Sequence, residues 1–167
     1  MSYIYGVIVI MSSIHMQIDL EIKPCVGLSG LLFGESMKDA EKLFGKAEEV
    51  ALFDDVDDAK STVWHYWENG FSLFFDEMNS QIFCCAEIDN PEVTIWGKRV
   101  FDLNEKELIH LFKENNYKLF ETEVHEWGEK RLSFDDANID FYFEKNKLTS
   151  INFGKPYMSS QILILPN

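Results

Sequence analysis

Cysteine is scarce in this chain: Cys25, Cys84 and Cys85 are the only three in 167 residues. An odd number with no Cys-x-x-Cys pair gives neither a disulfide framework nor a zinc site, and a reducing cytoplasm suits it. Cys84 and Cys85 adjoin in a strand-like stretch, so their side chains are expected on opposite faces. Basic residues are also few. Fifteen Lys and Arg stand against 29 Asp and Glu, so 15 − 29 = −14. Nucleic acid and anionic membrane need Lys and Arg against phosphate, so both are excluded as partners. A basic partner would be attracted, although the same charge also serves solubility. No apolar run is long enough for a membrane helix, which needs about 20 residues. The run at 3–10 is short, lacks a preceding basic segment and has no small-residue cleavage pattern after it. It reads as an extra strand or an arm, with Met11 and Met16 as alternative starts.

Catalytic and metal motifs are missing too. There is no Gly-x-Ser-x-Gly elbow. The glycines of Gly27–Gly34 have no Gly-Lys-Ser/Thr ending for a phosphate loop. His15, His65, His110 and His125 form no His-x-x-x-His pair and read as packing or surface residues. The acidic run at 54–58 lacks the sixth-position glycine and closing glutamate of a calcium loop. The expectation is a non-enzymatic protein with no cofactor and no metal.

What is present is aromatic: 14 Phe, 6 Tyr and 4 Trp, enough for a packed core. Ser36, with Asp39 three residues on, opens a short helix whose apolar residues are Met37, Ala40, Leu43 and Phe44, and Gly45 closes it. Strands follow at 48–53, 62–68, 71–75 and 81–88, with Asn69-Gly70 as a hairpin signal. In the last of these, Ile82, Cys84, Ala86 and Ile88 are expected to share one face. Asn104 with Glu107 opens a second helix. Strands then read at 117–125, 130–134, 139–143 and 147–153.

The helix starts at Ser36 and Asn104 lie 104 − 36 = 68 residues apart, and at that shift Leu43 and Phe44 fall on Leu111 and Phe112. The expected fold is therefore α+β: two tandem helix-plus-antiparallel-sheet repeats, with the helices packed on one face of the sheet. The expected divisions are an N-terminal extension or strand (1–26), repeat one (27–101), repeat two (102–157) and a tail (158–167), in one compact unit. An antiparallel sheet covered on one side leaves the other to water.

Acid beside tryptophan is the remaining distinctive pattern. Trp and Tyr make rigid amphipathic anchors, and acidic runs steer basic partners. The candidate partner-binding residues are Asp54, Asp55, Asp57, Asp58, Trp67, Glu68, Trp96, Glu126 and Trp127. Each tryptophan has a plainer role open to it in the core, and the acidic run one as a solvated loop.

The segment Gly34-Glu35-Ser36 through Leu43-Phe44-Gly45-Lys46 resembles the helix-opening motif of beta-lactamase-inhibitor-protein-like domains. The tandem plan over roughly 27–154 is similar to that family's, although the cysteines that staple its secreted members have no counterpart here. The resemblance implies a non-enzymatic protein whose concave sheet grips a partner. In size and charge the chain also resembles bacterial toxin immunity proteins. The expected function is thus a protein-binding inhibitor, most concretely an immunity protein occluding a basic toxin domain. Two alternatives are a small-molecule binder or enzyme with a pocket between sheet and helices, and a homo-oligomeric structural protein.

Overall fold

The computed structural model describes residues 18–54, 60–77 and 80–156. The apolar run at 3–10, His15, the tail from 158 and three candidate acids, Asp55, Asp57 and Asp58, lie outside them.

Alternation of apolar and polar residues makes most of this chain strand. β1 (Glu21–Lys23), β2 (Gly27–Leu28) and β3 (Leu31–Leu32) precede helix α1 (Met37–Phe44). Strands β4 (Glu49–Asp54), β5 (Lys60–Tyr66), β6 (Phe71–Asp76) and β7 (Ile82–Ile88) follow. The short β8 (Thr94–Ile95) and β9 (Lys98–Arg99) lead to helix α2 (Glu105–Glu114). The chain then forms β10 (Glu121–Val124), β11 (Lys130–Phe134), β12 (Ile139–Glu144) and β13 (Lys147–Gly154). Eight of these build one sheet in the order β10-β11-β12-β13-β7-β6-β5-β4, and five build a second in the order β3-β2-β1-β8-β9.

This corrects the expected α+β architecture of two tandem repeats with helices on one face. The chain is predominantly β, and among the described residues its two α-helices have only 8 and 10 residues. β7 and β13 pair antiparallel, Ile88 with Ile151 and Cys85 with Gly154, which joins strands from both halves into a single sheet. The second sheet contributes Ile22, Leu28, Leu31 and Ile95 to the core, and Leu20 and Val93, just before β1 and β8, join them. Its strands are too short to show alternation, and its centre is a parallel pair, β1 with β8, between residues some 70 apart in sequence. Pairing at such distance leaves no local trace.

Both helices begin in complete capping boxes, Ser36 with Asp39 and Asn104 with Glu107. Each satisfies two backbone N–H groups that a helix start leaves unpaired. The Ser36 hydrogen bonds hold the Asp39 carboxyl below its ordinary range. Each helix lays one ring on the large sheet. Phe44 meets Phe71 at 5.2 Å between centroids, and Phe112 stacks on Phe134 at 4.2 Å and meets Phe141 edge-on at 5.4 Å. The inner sheet face is otherwise mostly apolar, with Leu73, Phe75, Ala86, Ile88, Leu132, Ile151 and Phe153 buried.

The β5–β6 turn is longer than the two-residue hairpin that Asn69-Gly70 suggests. β5 ends at Tyr66, a 3-10 turn occupies Trp67–Asn69, and Gly70 sits at φ 61° before Phe71. Asp89 and Asn90 both donate their backbone N–H to the Gly70 carbonyl. A Cβ on Gly70 would come within 2.7 Å of Asp89 Oδ1 and 3.0 Å of Asn90 N. Gly70→Ala is therefore expected to destabilise the fold by about 1–3 kcal/mol, read as a lower urea midpoint at unchanged slope.

Candidate functional site

Register decides what the uncovered sheet face presents. Glu49 pairs with His65, His65 with Ser72, and Ser72 with Glu87. Glu87 pairs with Asn152, Asn152 with Asp140, Asp140 with Ser133, and Ser133 with Glu121. One row thus crosses all eight strands, and every residue in it is polar. Four are carboxylates and none is Lys or Arg. The neighbouring row on the inner face is Tyr66, Phe71, Ile88, Ile151, Phe141, Leu132 and Thr122. At ~4.8 Å between strands, seven spacings carry the polar row across about 34 Å. Two of its links are hydrogen bonds, between His65 Nδ1 and Ser72 Oγ (2.7 Å) and from Ser133 Oγ to Asp140 Oδ1 (2.6 Å). Next to the row, Tyr142 has its phenol pushed above the ordinary range by burial and by Asp140.

A depression of about 250 Å³ lies at the middle of this face, with Phe74, Cys85, Glu87, Asp140 and Asn152 in its wall. Gly154 leaves part of it open: a Cβ there would sit 3.1 Å from Cys85 Cβ and from Asn138 Nδ2.

Two exposed tryptophans flank the face. His65 and Trp67 stack at 4.2 Å with 9° between the ring planes, and His125 and Trp127 at 4.4 Å with 8°. Trp67 is 59% exposed and Trp127 is 73% exposed. Trp67 Nε1 donates to Glu49 Oε2 at 3.0 Å, which ties it to the first residue of the polar row. Successive antiparallel pairings make β5 and β10 run in the same direction. Trp67, just past β5, and Trp127, just past β10, therefore leave the sheet at the same end, on opposite flanks.

Of the sequence candidates, Trp67, Glu68, Glu126 and Trp127 come to this end of the sheet. Glu68 takes its backbone N–H to Glu48 Oε2 at 3.1 Å. Asp54 closes β4 opposite Lys60. Trp96 lies elsewhere: its partly buried ring packs on Phe112 at 4.9 Å and on Tyr117 at 5.8 Å, against the core. Sequence reasoning missed Glu49, Glu87, Glu121, Asp140 and Asn152, and it set both stacked histidines aside. Their signal was the polar half of each strand's alternation, which points outward whenever the apolar half points in.

A second cavity, of about 460 Å³, lies between the start of α2 and the sheet, with Lys106, Lys130, Lys145, Asn104 and Phe143 in its wall. Lys130 Nζ is already paired with Glu105 Oε2 at 2.8 Å. Among the described residues no group of three or more His, Cys, Asp or Glu is placed to hold a metal ion. Among them, too, no helix is long and apolar enough to cross a membrane.

No protein-family model matches the chain, and no curated protein matches it. Among solved structures it is similar to an extracellular protein containing a SCP domain from Bacillus anthracis. That likeness has 11% identity and a TM-score of 0.44, and covers 73% of this chain and 43% of the other. The chain thus spans less than half of that protein's length.

Proposed function

We propose that this chain is a non-enzymatic protein-binding inhibitor whose uncovered sheet face docks a basic surface of its partner. The observation that carries the reading is the unbroken polar row, with four carboxylates and no cation, between two exposed tryptophan stacks. Trp is among the residues most enriched as interface anchors, and here two stand on one end of the sheet, pre-oriented by stacked histidines. Carboxylates across the face steer a cationic partner toward it and suppress anionic ones. Occlusion of a toxin's basic cleft by an immunity protein is the concrete form of this reading.

The test is a paired substitution, Trp67→Ala with Trp127→Ala. Both rings are exposed, so melting should stay close to that of the parent. Affinity for a stoichiometric partner recovered from the native host should fall by about 2 kcal/mol or more per anchor, or roughly 30-fold. Unchanged affinity in the double variant would remove the two stacks from the interface.

One further observation favours a second reading, self-association. Val50, Leu52 and Phe53 are exposed on β4, the last strand in the sheet order. Exposed apolar edge strands pair readily with other chains. Light scattering across a dilution series separates a dimer of this kind from a monomer waiting for its partner.

A further inference from the structure

Adjacent residues in a regular strand point to opposite faces, yet Cys84 Sγ and Cys85 Sγ lie 3.8 Å apart. The expectation of opposite faces is corrected by a β-bulge. Phe74 pairs with Cys85 but Phe75 pairs with Phe83, so Cys84 is an extra residue with no partner opposite. The buried positions of β7 record the same shift, passing from Phe83 to Ala86 and Ile88 and so changing from odd to even. That also corrects the expected shared face of Ile82, Cys84, Ala86 and Ile88: a bulge resets the two-residue period.

The bulge is pinned on all sides. Gly34 donates its N–H to Phe83 O, Phe83 donates to Glu35 O, and Lys155 donates to Cys84 O. The Cys84 thiol donates to Phe74 O at 3.3 Å. Cys85 lies in the wall of the 250 Å³ depression, which opens on the uncovered sheet face. Both thiols are free and partly exposed.

From this geometry we infer that Cys84 and Cys85 form a chelating dithiol site for a soft, thiophilic centre of bent two-sulfur geometry, of which a trivalent organoarsenical is the type. Soft thiolate sulfur selects soft centres over hard ones. Sulfurs already near contact suit a bent S–As–S unit, whereas a linear two-thiolate centre would need them further apart. The step is a condensation without redox change. Two S–H bonds and the arsenical's As=O bond break, two As–S bonds form, and the two protons leave with the oxygen as water. Cys84 begins it, because its side-chain interaction with Cys85 holds its thiol below the ordinary range, while that same interaction and burial push Cys85 up. The site stands apart from the docking reading and survives its failure.

The probe is phenylarsine oxide, added at one equivalent to the full chain and followed by intact mass and peptide mapping. One phenylarsenic unit is expected, bridging the peptide that holds residues 84 and 85. It should resist a large excess of 2-mercaptoethanol and be released by a stoichiometric dithiol. Tethering of the second thiol strengthens binding by roughly 10²–10⁴-fold, so Cys84→Ser and Cys85→Ser should each lose retention by about 100-fold or more. Cys25→Ser should leave it unchanged, since Cys25 Sγ contacts Tyr117 Oη at 3.3 Å. The competition between monothiol and dithiol needs no variant, so poor folding of a Cys85 substitution does not blunt the test. Release by monothiol alone, an adduct mapped to Cys25, or full retention in Cys84→Ser would each overturn the site.

Discussion

Phe112→Ala is expected to cost about 3–5 kcal/mol, a large share of the 5–15 kcal/mol that holds an ordinary domain together. Phe112 is completely buried at the end of α2 and meets four other rings, Phe134, Phe141, Trp96 and Tyr117. It links three layers of the molecule: the helix, the large sheet through Phe134 and Phe141, and the β8–β9 turn through Trp96. Truncation removes the transfer energy of a whole aromatic side chain and leaves a void bounded by rigid rings. Such rings cannot collapse inward, so the cavity contribution stays high. Urea unfolding should show a sharply lowered midpoint with the slope retained, and Phe112→Leu should recover much of the loss. A cost below about 1 kcal/mol would mean that the ring cluster is not the keystone described. Phe44, which makes the matching contact for α1, is slightly exposed and should cost less when truncated.

The second large effect is on binding rather than folding. Glu87→Lys combined with Glu121→Lys reverses two exposed charges in the polar row, one near its centre and one at its β10 edge. Neither residue is among the core-forming side chains, so the far-ultraviolet spectrum and melting should be preserved. The local charge changes by +4, while the rest of the acidic surface is untouched. Charge-lined surfaces raise association rates by about 10–10³-fold, so the variant should bind its partner on the order of 100-fold more slowly at low salt. The deficit should shrink as ionic strength rises, because screening at 0.15 M already acts over about 8 Å. An association rate that ignores these substitutions would place the partner on another surface. Glu49 and Asp140 are poorer choices for this experiment, because each accepts a hydrogen bond from a neighbour on the face, Trp67 and Ser133 respectively.

Several features were legible residue by residue. Ser36 and Asn104 announced their helices because a capping box is a local device, complete within four residues. The strands around Phe71, Leu73 and Phe75 and around Ile139, Phe141 and Phe143 were legible from alternation alone, and all six side chains are buried. The exposed positions of Trp67 and Trp127 were not legible, since Trp67 fell within an expected strand at 62–68 and each tryptophan had a core role open to it. Trp96 could not be told from them, since it too sits in a turn, at φ 48°. Only packing against Phe112 and Tyr117 separates a partly buried tryptophan from a surface one there.

The partition has a physical basis. Charge, helix starts and strand alternation depend on residues within a few positions of one another, and the sequence by itself determined them. Which strands pair, and in what register, depends on backbone hydrogen bonds that any residue but proline can make, between segments tens of residues apart. Tertiary structure alone therefore joined β7 to β13, covered one sheet face with a second sheet as well as helices, and aligned eight polar residues into one row. It also inserted Cys84 as an unpaired residue, which turned two thiols expected on opposite faces into neighbours 3.8 Å apart.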